Sequence, residues 1–273
     1  MVLVNRSVPV ECSEVLDFRK GKEIIMLETD ISRAIVEEYS KRLSGHLEND
    51  VVIVGAGPAG LAAGYYLAKS GLKTTVLEKK LSIGGGIWGG AAGCNVIAVE
   101  DKDILDEFGI TAKKQNDLYL ADAIEFATAL AYKAKKAGVG IFNLMEAEDI
   151  ILKEDSVKGV VVNNTNIRAS GLLVDPFCIA GRYVIDATGH QAELVNMIKT
   201  KRADFHPADL KEGFMDVEKA EVDVVKKTGQ IYPGLYVAGM SVCSTFNLPR
   251  MGPIFGGMLR SGKKVAELIN DRV

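Results

Sequence analysis

Cysteine is scarce and scattered: Cys12, Cys94, Cys178 and Cys243 are the four present, and no two form a C-x-x-C pair. That spacing excludes a dithiol redox motif and a thiolate zinc site, and makes reduced thiols in a cytoplasm the expected state. No charge of one sign prevails, because 33 basic and 36 acidic residues are interspersed to a net charge of −3. The chain therefore lacks the basic surface of a nucleic-acid binder, and nucleic acid is not an expected partner. Histidine is limited to His46, His190 and His206. Repeats and low-complexity linkers are absent, and no basic-then-apolar leader opens the chain, so secretion is not expected. The uncharged run over residues 51–68 is long enough for a membrane span but is broken by Pro58 and by Gly55, Gly57, Gly60 and Gly64. These breakers exclude a membrane span; the opening run of β-branched residues reads as a buried parallel strand instead.

Hydrophobic residues make up 48% of the 273, enough for the core of an α/β domain. The apolar positions Ile31, Ala34, Ile35, Tyr39 and Leu43 predict one face of a helix over 31–43, capped by Thr29 or Asp30. Strand 51–54, a glycine turn, a helix reaching Ala68 and strand 73–77 form a βαβ unit. A glycine loop follows at 84–90, then a long helix at 121–137 stopped by Gly138. Two strands, 147–152 and 159–163, flank a polar turn at 153–156 and predict a hairpin. Later strands at 183–187 and 235–238 lead into Gly189 and Gly239, and a helix at 257–270 closes the chain. The expected fold is Rossmann-like α/β, of the FAD/NAD(P)-binding kind, with a parallel central sheet and an inserted β-hairpin. Residues 1–27 read as an N-terminal extension and 28–273 as a single domain.

The turn Gly55-Ala-Gly57-Pro-Ala-Gly60 has the G-x-G-x-x-G spacing, and its chemistry is steric. The first glycine permits the tight turn, the second lets backbone approach a pyrophosphate, and the third lets helix pack on strand. Phosphate then sits at the helix N-terminus, where free N–H groups favour an anion. Glu78 follows Gly60 by 18 residues, at the end of the second strand, where a carboxylate accepts from both ribose hydroxyls. A ligand containing adenosine diphosphate is expected. The motif leaves open whether that ligand is FAD, NAD used for hydride transfer, or NAD used otherwise.

Asp175 precedes Pro176, which forces it into extended backbone and presents its carboxylate on a rigid loop. His190 ends the strand segment Asp186-Ala-Thr-Gly-His, where a histidine serves as a satisfied structural group or as a ligand. An Asp–His pair with open positions suits Fe(II) or a similar ion that must also bind substrate. His46 is expected to cap or solvate the first helix, and His206 to face water. Arg250 stands between proline and glycine in Leu248-Pro-Arg-Met-Gly-Pro253. Its planar fork pairs with a carboxylate through two parallel hydrogen bonds, and a structural salt bridge is the alternative.

Together these segments resemble the Thi4 family, which makes the thiazole half of thiamin, from about Thr29 to the end. The resemblance implies that Asp175 and His190 bind iron and that Arg250 holds the carboxylate of glycine. Beside Gly55, Gly57 and Gly60 of the motif, it implies contacts to an adenylated ligand from Ala59, Glu78, Lys79, Gly86, Ala147, Leu173, Val174 and Met240. NAD would be a substrate rather than a hydride carrier, Fe(II) a cofactor, and the assembly a homo-oligomer, commonly of eight subunits. In the family the aspartate reaches the iron of a neighbouring subunit. No proton-transfer residue is assigned. Some members carry cysteine two residues before the D-P aspartate and give up its sulfur; others, chiefly from anaerobic archaea, have histidine there and use free sulfide. This chain has Leu173 at that position, which neither donates sulfur nor binds metal. Two rival readings share the glycine turn: an FAD-dependent oxidoreductase of the polyprenyl-reductase kind, and a nucleotide-binding protein without turnover.

Overall fold

The computed structural model describes residues 27–207 and 209–273, so the extension read at 1–27 lies, but for Leu27, outside the described residues. By contacts the chain divides into Met1–Arg42 and Leu43–Val273. The helix α1 (Glu28–Gly45) begins three residues before the expected start, and none of its residues is buried. Ile31, Ile35 and Tyr39 of the expected apolar face are exposed, as is Val36. Such a stripe reports that cover is needed, not which chain supplies it.

The second unit opens with β1 (Glu48–Val54), α2 (Pro58–Lys69) and β2 (Thr74–Glu78), the expected βαβ unit. A small antiparallel sheet of β3 (Val96–Val99), β4 (Ala112–Gln115) and β5 (Leu118–Asp122) follows, with α3 (Lys102–Phe108) inside it. Next come α4 (Ala123–Lys136), β6 (Gly140–Asn143) and the hairpin β7 (Met145–Lys153) with β8 (Ser156–Asn164). Glu154 and Asp155 both have positive φ, 50° and 55°, so two residues make the hairpin turn the sequence calls for. After α5 (Thr165–Ala169), β9 (Phe177–Asp186) and α6 (Glu193–Lys201), the chain runs through α7 (Val217–Lys227), β10 (Gly229–Tyr232) and β11 (Leu235–Val237). It ends with α8 (Met240–Phe246) and α9 (Gly256–Asn270).

The main sheet runs β10-β11-β9-β1-β2-β6; β11, β9, β1, β2 and β6 are parallel, and β10 is an antiparallel edge. The chain leaves β1 toward β2 and β6 and later returns to the other side through β9 and β11. That reversal puts a crevice beyond the carboxyl ends of β1 and β9, the position where α/β sheets bind ligands. Alternation along β1 separates two cores. Val51 and Ile53 pack with Leu61 of α2, Leu130 of α4 and Leu259 of α9, while Val52 and Val54 pack with Val160 of β8 and Leu194 of α6. The hairpin joins the same sheet, since β8 pairs antiparallel with the start of β9. No helix among the described residues is long and apolar enough to cross a membrane.

Candidate nucleotide and metal site

A cleft of about 570 Å³ opens at that crevice. The turn after β1 forms its floor. Gly55 has φ +105°, and a Cβ there would lie 2.2 Å from the Ala187 carbonyl oxygen, so only glycine lets the β1 and β9 exits approach so closely. A Cβ at Gly60 would meet the Gly55 oxygen at 2.0 Å, whereas one at Gly57 would meet no protein atom within 4 Å. Gly60 thus serves packing, and Gly57 faces the open cleft. The first amides of α2 have no partner within the helix and bound the same space.

Glu78 ends β2 buried, and both of its oxygens are engaged: Oε2 accepts from Ala56 N at 3.0 Å and Oε1 from Lys80 N at 2.9 Å. Each carboxylate oxygen keeps a further lone pair, so the group is oriented and still able to receive hydroxyls. Lys79 reaches across to Glu193 at 2.5 Å. Gly86, Ala147 and Met240 line the cleft wall.

His190 and Arg250 line the same cleft. His190 lies in a tight turn after β9, its carbonyl bonded by Ser244 Oγ at 2.5 Å. Asp186, fully buried at the end of β9, holds this turn. Its Oδ1 accepts from Thr188 N, Thr188 Oγ1 and Ser241 Oγ, and its Oδ2 from Leu194 N and Val195 N at the start of α6. Burial pushes the Asp186 carboxyl upward, and those hydrogen bonds pull against it. Arg250 is placed by a parallel bridge to Met215: its N donates to the Phe214 carbonyl at 3.1 Å, and its own carbonyl accepts from Asp216 N at 3.2 Å. Between the two stands Glu212, 2.5 Å from His190 Nδ1 and 3.4 Å from Arg250 Nε.

The cleft therefore gathers Gly55, Gly57, Ala59, Glu78, Lys79, Gly86, Ala147, Met240, His190 and Arg250. It does not gather Leu173, Val174 or Asp175, which stand exposed on the segment before β9, with Leu173 wholly uncovered. The Val174 carbonyl accepts from Asn163 Nδ2 at 3.1 Å, which ties that segment to the hairpin. Among the described residues no three His, Cys, Asp or Glu side chains are grouped to hold a metal. With Nδ1 committed to Glu212, His190 offers Nε2 as a donor, so one chain supplies part of a nitrogen–oxygen set. That part fits an ion that keeps open positions for a substrate.

Sequence reading missed Glu212, Asp186 and Glu193. Asp186 precedes the Thr-Gly-His turn and has the Asx-type bond to Thr188 that such a position invites. Glu212 carries no local signal, because its two partners are 22 and 38 residues away in sequence. His46 differs from the expectation of a solvated cap: it is half-buried, with Nδ1 2.8 Å from Thr75 Oγ1 and its ring edge on Phe142. The β1–β2 pairing draws it inward. His206 is exposed, as read.

Comparison with known proteins agrees over most of the chain. The model of the Thi4 family matches residues 32–255. The thiamine thiazole synthase of Pyrococcus furiosus is 52% identical over 240 residues, covering 86% of this chain and 94% of that protein. That of Methanothermobacter thermautotrophicus is 45% identical over 250 residues, 89% of this chain and 97% of its own. The crystal structure of Thermovibrio ammonificans THI4 superposes with a TM-score of 0.88 at 45% identity, covering 91% of this chain and 98% of that one.

Proposed function

The chain belongs to the Thi4 family, and on that premise we propose that it is a thiamine thiazole synthase using NAD, glycine and sulfide with Fe(II). The product is an ADP-linked methylthiazole carboxylate. The observation that carries this reading is the single cleft in which the nucleotide turn, Glu78, His190 and Arg250 converge.

In the proposed reaction the glycine turn and the N-terminus of α2 hold the pyrophosphate of NAD, and Glu78 accepts from the adenosine ribose hydroxyls. This leaves the nicotinamide-bearing ribose directed along the cleft toward His190 and Arg250. Water displaces nicotinamide at the anomeric carbon, and the freed ribose opens and isomerises to a ketone. Arg250 takes the glycine carboxylate through its guanidinium, which fixes the glycine amine for condensation with that ketone and loss of water. Sulfide then adds and the ring closes. His190 Nε2, with Asp175 from a second copy, would hold the iron, which supplies Lewis-acid and template chemistry when bound. The exposure of Asp175 and of the apolar Leu172 and Leu173 beside it favours such sharing between copies, for which the family resemblance implies eight chains. The test is anaerobic incubation of the protein with Fe(II), NAD, glycine and sulfide. Mass spectrometry should find an ADP-thiazole, and NAD or ADP-ribose left unconverted under every condition would refute the assignment.

Two expected results separate the parts of the cleft. Gly57→Ala should keep the thermal midpoint of the parent and weaken NAD binding by about tenfold or more, because its methyl enters only the ligand's space. Gly60→Ala should instead lower stability by on the order of 1–3 kcal/mol, since its methyl strikes the Gly55 carbonyl. Calorimetry of both variants, with and without NAD, decides the matter; equal loss of affinity without loss of stability in Gly60→Ala would count against the division.

Arg250→Lys keeps charge but offers a point donor in place of a fork. The glycine concentration for half-maximal rate should rise by roughly thirtyfold, about 2 kcal/mol, with NAD dependence unchanged. Steady-state kinetics at varied glycine provides the check, and an unaltered glycine requirement would remove Arg250 from this role.

A further inference from the structure

We infer that Glu212 is a positioning residue that orients the two groups at the chemical end of the cleft together. The inference rests on the reading of His190 as a metal ligand and of Arg250 as the holder of the substrate carboxylate.

The contrast in exposure points to it. The side chain of Glu212 is 10% exposed, while those of its partners His190 and Arg250 are 60% and 54% exposed. A carboxylate withdrawn from water needs donors or cations beside it. Here its two oxygens divide between two partners: Oε1 stands 2.5 Å from His190 Nδ1, and Oε2 stands 3.4 Å from Arg250 Nε. Its backbone is fixed as well, because Gly213 N donates to the Leu248 carbonyl at 2.8 Å and Met215 bridges to Arg250. The segment carrying Glu212 and the segment carrying Arg250 therefore move as one.

Each contact selects a form of its partner. An imidazole that donates Nδ1–H to a carboxylate has Nε2 as its lone-pair nitrogen, so Glu212 sets both the tautomer and the ring orientation of His190. An ion pair 3.4 Å from Nε leaves the two terminal nitrogens of the guanidinium for a second carboxylate, so Glu212 draws Arg250 into place without occupying the fork. Metal position and substrate position are thereby referred to one buried group. Asp186, by comparison, spends its oxygens on backbone amides and neutral hydroxyls, whereas Glu212 meets an imidazole and a guanidinium that both line the cleft.

Glu212→Gln tests this with little change in volume. A carboxamide has one acceptor oxygen, and both partners need an acceptor, so one contact must fail. The full-length protein, held anaerobically without substrates, should bind Co(II) in equilibrium dialysis 10–100-fold more weakly in the variant than in the parent. Its half-saturating glycine concentration should rise at least about tenfold, while NAD affinity and thermal midpoint stay near the parent's. A folded variant whose Co(II) affinity and glycine dependence match the parent's overturns the inference. A parent that binds no Co(II) and makes no thiazole overturns the functional reading as well, which separates the two failures. A crystal structure of the Co(II)-loaded parent decides independently of how the variant folds. Metal on His190 Nε2 with Nδ1 on Glu212 is expected; metal on Nδ1, or on Glu212 itself, refutes it.

Discussion

Alanine in place of His190 or of Asp175 should reduce thiazole formation by more than the roughly 10–100-fold that outer partners of a metal ligand command, with NAD affinity near that of the parent. The separation follows from the fold. NAD is proposed to bind at the turn after β1 and at the end of β2, whereas His190 follows β9 and Asp175 precedes it. The two residues are also differently placed: His190 lines the cleft, and Asp175 stands exposed outside the set of residues that line it. If Asp175 completes the site of a second copy, two inactive variants should complement. Random mixing of His190→Ala and Asp175→Ala chains gives about a quarter of sites with both groups intact, because each site draws one group from each of two chains. Activity restored on co-refolding or co-expression is the expected result. Two variants that each retain full activity with Fe(II) would end the iron assignment, and the absence of complementation would return Asp175 to its own chain.

What was legible in the sequence is what local chemistry encodes. The β1–turn–α2–β2 unit shows because Gly55, Gly57 and Gly60 have steric tasks within six residues, and the hairpin shows because two apolar strands flank the polar residues 153–156. The small sheet does not show. Its strand Ala112–Gln115 reads AKKQ and is largely exposed, so no alternation marks it, and β3 and β5 are four and five residues long. The stripe on α1 shows its period and conceals its cover. Glu212 escapes for a different reason: it gains meaning only when residues 212–216 lie beside 248–250 and the turn after β9 meets both. Distance in sequence, not lack of chemistry, hides it.

The exposed segment before β9 sets the last expectation, that sulfur comes from solution and that one chain turns over repeatedly. Leu173 occupies the position where some family members carry their sulfur-donor cysteine, and it is wholly exposed. Of the cysteines, Cys12 lies outside the described residues. Cys243 is buried in α8, and burial pushes its thiol up to about 12, so almost none of it is thiolate at neutral pH. Cys94 and Cys178 are exposed. Cys178 sits on β9 beside Val161, three residues beyond Asp175, which is a different place from the family donor. A donor cysteine is consumed when its C–S bond breaks, leaving dehydroalanine and limiting each chain to a single product. Sulfide from solution leaves the protein intact. Anaerobic protein given Fe(II), NAD, glycine and isotopically labelled sulfide should therefore yield labelled thiazole in molar excess over chains, with Cys94 and Cys178 recovered unchanged by peptide mass spectrometry. Unlabelled thiazole, no more than one per chain, together with dehydroalanine at either cysteine, would show that this protein destroys itself to make its product.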